Sequence, residues 1–146
     1  MTCTLVGYGC RKPTMSPAEF RDYYENTHMP LLLSLTGSAF PTTHTRHYLI
    51  RTAKDLNSSD TTNANYTTTT FGEKPEDFEW DVYAELVFEN REKLETFLIK
   101  LAEVTAAADG IFHADELAFL DLDKRKAVLV DDPVVTAKPS DTALDG

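Results

Sequence analysis

The chain has 146 residues, 42% of them hydrophobic, and carries a formal net charge of -10 from 24 acidic against 14 basic side chains. That length supports one domain over 1–146, with a single core that buries roughly two thirds of the unfolded surface. The acidic balance argues against nucleic acid and anionic membrane as partners, because both call for clustered Lys and Arg, and no apolar run approaches a membrane span.

Thr4 to Arg11 reads as a strand in which Gly7 and Gly9 share one face. Glycine weakens a strand unless something must approach closely. This face is therefore either a hollow left for a ligand or the seat of a tightly packed helix or partner chain. No basic leader with an apolar centre opens the sequence. The expected setting is cytoplasmic, where Cys3 and Cys10, on one straight strand, stay reduced.

Ser16 to Thr27 carries the strongest helix-start signal. Ser16 caps, Pro17 suits the first turn, and Glu19 completes a capping box. Phe20, Tyr23, Tyr24 and Thr27 follow at helical spacing, with Arg21, Asp22 and Glu25 toward water. His28 stands at the predicted helix end, since the residue before Pro30 is pushed out of helical geometry. Leu31 to Leu35 makes a further apolar turn closed by Gly37. His44 to Thr52 is the second strand; neither of its faces is uniformly apolar, which fits a polar cavity or an interface. From 53 to 79 the periodicity disappears. The polar run NSSDTTNANYTTTT predicts a long surface loop, acting as a lid, an arm or a disordered insertion.

Trp80 to Glu89, WDVYAELVFE, is the clearest strand. Trp80, Val82, Ala84, Leu86 and Phe88 form an apolar face, and Asp81, Tyr83, Glu85, Val87 and Glu89 a mostly polar one. Asn90 caps a helix whose buried side is Leu94, Phe97, Leu98 and Leu101; it continues to Ala108 and stops at Asp109-Gly110. A short acidic helical turn from Ala114 to Phe119 follows. Lys126 to Val130 is the last strand, and 133–146 a polar tail. The order strand, helix, strand, strand, helix, strand is the ferredoxin-like split βαβ arrangement, an α+β fold with a four-stranded antiparallel sheet and both helices on one face. The other face, with Tyr83 and Val87, is too apolar to leave wet, so a homodimer is expected.

No metal or nucleotide signature appears. On a strand His44 and His47 point to opposite faces, the acids near Asp109 lack calcium-loop spacing, and there is no phosphate-cradling or Rossmann glycine pattern. Neither cysteine sits in a nucleophile motif. The expectation is no cofactor and no metal, which leaves acid–base chemistry. His28 is the leading base, or else a histidine bonded to backbone at a helix end. His47 is the second candidate, facing either a cavity or an interface. Asp81 and Tyr83 share one strand face, where they orient a histidine and donate to an oxyanion or else line a dimer interface. Tyr8, Tyr24, Tyr48 and Trp80 are candidate walls for a flat substrate, or simply core.

The stretches GCRKPTMSPAEFRDYYENTHMPLL, WDVYAELVFE and ADELAFLDLDKRKAVLVDD resemble fungal EthD-domain proteins of the dimeric α+β barrel superfamily, over residues 3 to 132. The helix motif ending in His28, taken with Phe119, Leu120 and Asp121, carries the likeness. The resemblance implies a split βαβ unit dimerised through its sheets, with an active cavity between sheet and helices in each protomer. It also implies a cofactor-free enzyme of secondary metabolism acting on a hydrophobic, polyketide-derived small molecule. Decarboxylation or dehydration comes first, cyclisation or isomerisation next. Two further readings share the fold: a cofactor-free quinone-forming monooxygenase, and a non-catalytic partner of a pathway enzyme.

Overall fold

Strand parity, undecided for half of this sheet by composition alone, is settled by register. The computed structural model describes residues 2–72 and 74–142; Met1, position 73 of the predicted loop and 143–146 of the predicted tail lie outside the described residues. A four-stranded antiparallel sheet is built from β1 (Cys3–Gly9), β2 (Thr43–Tyr48), β5 (Val82–Phe88) and β6 (Lys126–Val130), in the order β2-β5-β1-β6. Two short strands, β3 (Arg51–Ala53) and β4 (Tyr66–Thr68), pair in a separate hairpin. The α+β architecture expected from the element order is the one observed.

On β5, Val82, Ala84, Leu86 and Phe88 are buried, and they face the helices. Gly7 opposes Ala84 and Gly9 opposes Val82, so both glycines point the same way. His44 opposes Leu86, while His47 opposes Tyr83. His44 therefore faces the helices and His47 the open side of the sheet. The second strand ends at Tyr48 rather than Thr52, because the chain turns away at Leu49 and Ile50 into the β3–β4 hairpin.

The first helix, α1 (Pro17–Tyr23), begins with the expected capping box. Ser16 Oγ accepts from Glu19 N at 3.2 Å, and Glu19 Oε1 accepts from Ser16 N at 3.1 Å. The chain does not break at Met29-Pro30. Residues Tyr24–His28 form a π turn, and α2 (Met29–Thr36) continues from it. The Met29 N–H reaches back to Tyr24 O. The wider turn absorbs the hydrogen bond that Pro30 cannot make, and the proline then sits in a first turn where no N–H is needed. Gly37, at φ 52, ends α2.

Helix α3 (Arg91–Ala106) is capped by Asn90, whose side chain accepts from Lys93 N at 2.9 Å. Leu94 and Phe97 are buried, but Leu98 is 44% exposed, contrary to expectation. The predicted acidic turn is a full helix, α4 (Ile111–Phe119), with Phe112, Asp115, Glu116 and Phe119 all buried. Its two acids are buried, Asp115 beside His28 and Glu116 beside Arg125. One core cluster joins Phe20, Met29, Leu32, Val82, Phe112 and Phe119; a second joins Ala84, Leu86, Phe88, Leu94 and Phe97. A cavity of about 160 Å³ is bordered by members of both.

Candidate active site

Each polar group of the cavity is placed by a local feature of the chain. The π turn carries Tyr24 and His28, both buried, on the inner side of the first helical segment. π turns recur at functional sites because the extra residue redirects side chains without ending the helix. The His28 ring is wedged against Phe119 at 4.8 Å, Tyr24 at 5.2 Å and Phe112 at 5.9 Å between centroids. Its Nδ1 lies 2.6 Å from Asp115 Oδ2 on α4. Asp115 is acceptor-only as a carboxylate, so neutral His28 donates through Nδ1–H and presents a bare Nε2. No described residue hydrogen-bonds that nitrogen, and His28 lines the cavity. Tyr23 Oη donates to the other Asp115 oxygen at 2.8 Å. Burial and the neighbouring Asp115 push the Tyr23 phenol up to about 12, which keeps it a donor at neutral pH.

Across the cavity, His44 on β2 meets a different partner. Arg46 Nη1 lies 3.0 Å from His44 Nδ1 and also 3.0 Å from the His44 backbone oxygen. Arg46 is in turn held by Glu25, with contacts of 2.6 and 2.9 Å, and Tyr48 Oη donates to Glu25 Oε2 at 2.5 Å. Burial first, then the charge of Arg46 and the proximity of His28, lower the His44 pKa to about 4. Glu25 is held below the usual carboxylate range chiefly by its hydrogen bonds to Arg46. Tyr24, driven up to about 12 by burial, lines the cavity with a hydroxyl that bonds no described residue. At the rim, buried Glu116 pairs with half-exposed Arg125, and both border the cavity. The remaining wall is apolar, with Leu5, Leu32, Leu86, Phe97 and Leu101 prominent.

Of the residues singled out from sequence, the structure brings His28 and Tyr24 into this cavity, leaves Tyr8 at its edge and sends the others elsewhere. His47 stacks on Tyr83 at 4.5 Å on the far face of the sheet, 3.9 Å from Glu85. Strand register, fixed by Val82 and Leu86 facing inward, puts both His47 and Tyr83 outside. Tyr8 borders the cavity floor, but its ring packs with Trp80 at 5.4 Å and Tyr83 at 6.3 Å on that outer face. Trp80 leaves the apolar face predicted for it because regular pairing starts only at Val82. Tyr48 faces the helices but is spent on Glu25 and packed against Phe20 and Arg21, outside the cavity. Asp81 is buried in a clamp: it accepts from Arg11 N at 2.8 Å, pairs with the Arg11 guanidinium, and lies 2.8 Å from Arg51 Nε without hydrogen-bond alignment. Among its described residues the predicted surface loop forms an arm that carries β4 and is tied back to the sheet. Arg11 reaches Asn63 and Thr61 O in it, and Arg51 reaches Thr68.

Asp115, Tyr23, His44, Glu116 and Arg125 are the site residues that sequence reasoning missed. The i, i+4 spacing of Phe112 and Glu116, and of Asp115 and Phe119, was the available signal, since it puts acids on the same side as aromatics. The glycine question has two answers. A Cβ at Gly9 would meet Val82 Cγ1 at 3.2 Å and Leu120 Cδ2 at 3.3 Å, whereas one at Gly7 meets nothing nearer than Lys126 O at 3.9 Å. Gly9 serves close packing, and Gly7 leaves room at the cavity floor. Both cysteines are free, Cys10 buried with its thiol pushed up by burial. Among the described residues no group of three or more His, Cys, Asp and Glu side chains is placed to hold a metal ion, and no helix is long and apolar enough to cross a membrane.

An antiparallel four-stranded sheet with helices on one side, holding a histidine–carboxylate pair beside a largely apolar cavity, defines an α+β protein with a pocket between its layers. The EthD domain pattern matches residues 12–123, and the chain belongs to the EthD domain family. Among solved structures it is similar to an EthD family protein of Bacillus halodurans C-125, with 13% identity and a TM-score of 0.52, covering 91% of this chain and 100% of that one. It is also similar to an EthD-like protein of Ralstonia eutropha JMP134, with 13% identity and a TM-score of 0.50, covering 94% and 95%. At that identity the likeness is one of fold. No curated protein matches it in sequence.

Proposed function

We propose that this protein is a cofactor-independent acid–base enzyme, a decarboxylase or dehydratase before a cyclase or isomerase, acting on a hydrophobic, polyketide-derived intermediate of fungal-type secondary metabolism. The observation that carries the reading is His28: buried in an apolar cavity, bonded through Nδ1 to Asp115 at 2.6 Å, with Nε2 unspent. A carboxylate on Nδ1 fixes the tautomer and stabilises the imidazolium that proton transfer creates. In a dehydration, His28 Nε2 removes the proton alpha to a carbonyl and returns it to the departing hydroxyl, which leaves as water. In a decarboxylation, the carbon–carboxylate bond of a beta-keto acid breaks, carbon dioxide leaves, and the electron pair passes into the carbonyl as an enolate. His28, having first taken a proton from solvent at Nε2, delivers it to the enolate carbon. Both routes develop negative charge on an oxygen, and the Tyr24 hydroxyl is a donor free to meet it. The aromatic and aliphatic wall supports a flat, apolar substrate.

The test is turnover of an anthrone carboxylic acid by the purified protein, followed by carbon dioxide release and oxygen uptake. Carbon dioxide without oxygen consumption, lost in His28→Gln, is the expected result. Oxygen uptake would favour the quinone-forming monooxygenase. No turnover by the purified protein, with pathway product unchanged by His28→Gln and Asp115→Asn in the producing cell, would leave only a non-catalytic partner. The same reading includes a homodimer through the open sheet face. Half-exposed Val128 and Val130 beside the Tyr8, Tyr83 and Trp80 rings support it, and light scattering measures it directly.

A further inference from the structure

His28 and His44 line one cavity and are oriented by partners of opposite kind. Asp115 can only accept, which puts the His28 proton on Nδ1. Arg46 can only donate, and its Nη1 lies 3.0 Å from His44 Nδ1. A guanidinium hydrogen facing a protonated Nδ1 is repulsive, so Nδ1 of His44 is the acceptor and a neutral ring carries its proton on Nε2. The second hydrogen on Arg46 Nη1 goes to the His44 carbonyl, also at 3.0 Å. Arg46 is not free to swing away, because its Nε and Nη2 are both on Glu25. Glu25 also accepts from Tyr48. Phe40 stacks on His44 at 6.1 Å with planes 17° apart, and Tyr24 meets it edge-on at 6.4 Å. The ring is thus fixed in plane and in tautomer before any ligand arrives.

We infer that His44 is a further catalytic residue, a neutral N–H donor held ready at Nε2 for the oxyanion that forms when His28 moves a proton. The substrate class follows: an enolisable carbonyl compound whose oxygen reaches His44 while its acidic carbon lies at His28. This deepens the acid–base reading and rests on it. The charged and titratable groups facing His44 are Arg46, Glu25, His28 and Tyr24. Burial and the Arg46 charge keep the ring neutral down to about pH 4, so it neither competes for the proton nor loses its own. One imidazole accepts and the other donates, and each is assigned by the residue behind it.

Two measurements on the full chain test this, the first without any turnover. In protein labelled with 15N-histidine, the resonances of His44, assigned by their loss in His44→Gln, should report Nε2–H with a bare Nδ1, unchanged from neutral pH to about pH 5.5. Arg46→Met should abolish that preference. An Nδ1–H tautomer, or protonation near the ordinary histidine value, overturns the proposal even if His28 proves essential. The second uses 4-nitrophenol, whose absorbance reports its ionisation, as a stand-in for the oxyanion. The wild type should bind the phenolate preferentially, His44→Gln should keep that preference through its amide N–H, and His44→Phe should bind the phenolate about 100-fold more weakly. Binding of the neutral phenol by the wild type, no binding of either form, or undiminished phenolate binding by His44→Phe overturns it. Failure of the broader acid–base reading shows separately, as turnover that survives His28→Gln.

Discussion

Two buried aspartates, Asp115 and Asp81, share a charge and a degree of burial and differ in what remains unspent around them. Asp81 faces the Arg11 and Arg51 guanidiniums. The other donors of Arg11 go to Met15 O, Asn63 and Thr61 O, and those of Arg51 to Thr68, Phe78 O and Trp80 O. That cluster turns its charges on one another and on neighbouring backbone, with Arg51 Nε beside Asp81 but out of hydrogen-bond alignment, and ties the arm to the sheet. Asp115 faces Tyr23 and His28, and His28 keeps one nitrogen toward a cavity. A buried ion pair marks a structural joint when its charges are turned on one another and on backbone, and a candidate site when one partner keeps a lone pair beside an apolar cavity.

The largest effects should separate the two. His28→Gln and Asp115→Asn should each lower kcat by about 10^3- to 10^4-fold while the protein stays folded, because the imidazole loses either its reacting nitrogen or its tautomer. Asp81→Ala should do the reverse. It strands two buried guanidiniums and should cost about 3–5 kcal/mol in urea unfolding, with the arm released, while the folded fraction keeps its kcat. An Asp81→Ala protein of unchanged stability and no activity would invert the comparison.

Next in size is a pH effect at His44. An unfolded histidine titrates near about 6.5, and the folded ring only at about 4. Between these values the unfolded chain takes a proton that the native state refuses. Stability is therefore complete above the upper value and falls as pH drops toward the lower one, by roughly 3 kcal/mol in all. The depressed Glu25 carboxyl adds its own loss at lower pH, below the ordinary carboxylate value. His44→Gln should flatten the upper limb in urea titrations between about pH 7 and 4.5. Stability that holds level across that window would mean that His44 is solvated.

The elements that sequence made plain were those whose signal is local. The Ser16–Glu19 capping box, the Asn90 cap and the alternation of β5 need no distant information. The order of the elements extended that to a four-stranded antiparallel sheet. Where the reading failed, the missing fact lay far along the chain. Pro30 reads as a stop unless the π turn before it is known. Asp115 and Glu116 read only as part of an acidic turn because their partners, His28 and Arg125, come from other elements. For β2 the two parities were equivalent, since each face holds one histidine. Only pairing with β5 puts His44 inward and His47 outward.

The two glycines of β1 make a smaller test of where the cavity lies. Gly9→Ala forces a methyl against Val82 and Leu120 at 3.2 and 3.3 Å and should cost about 1–2 kcal/mol of stability. Gly7→Ala meets only a backbone oxygen at 3.9 Å and should be neutral or stabilising by up to about 1 kcal/mol, since strand glycine is entropically costly. Gly7→Val should leave stability intact and raise KM by filling the floor under the ligand. Equal destabilisation at both positions would mean that the hollow beside Gly7 is closed in solution.

The smallest expected effect falls on Tyr23, which touches the cavity chemistry only through Asp115. Its hydroxyl holds one carboxylate oxygen at 2.8 Å while His28 holds the other, so the pair of bonds sets the carboxylate plane and, through it, the direction of Nε2. Tyr23→Phe keeps the ring stacked on Phe119 at 5.1 Å and removes only the donor. Stability should fall by about 1 kcal/mol. A positioning role further requires kcat to fall by about tenfold with KM unchanged, because substrate contacts are intact and only the aim of the base is relaxed. A stability loss of that size with kcat untouched would reduce Tyr23 to core packing and show that Asp115 holds its orientation without it.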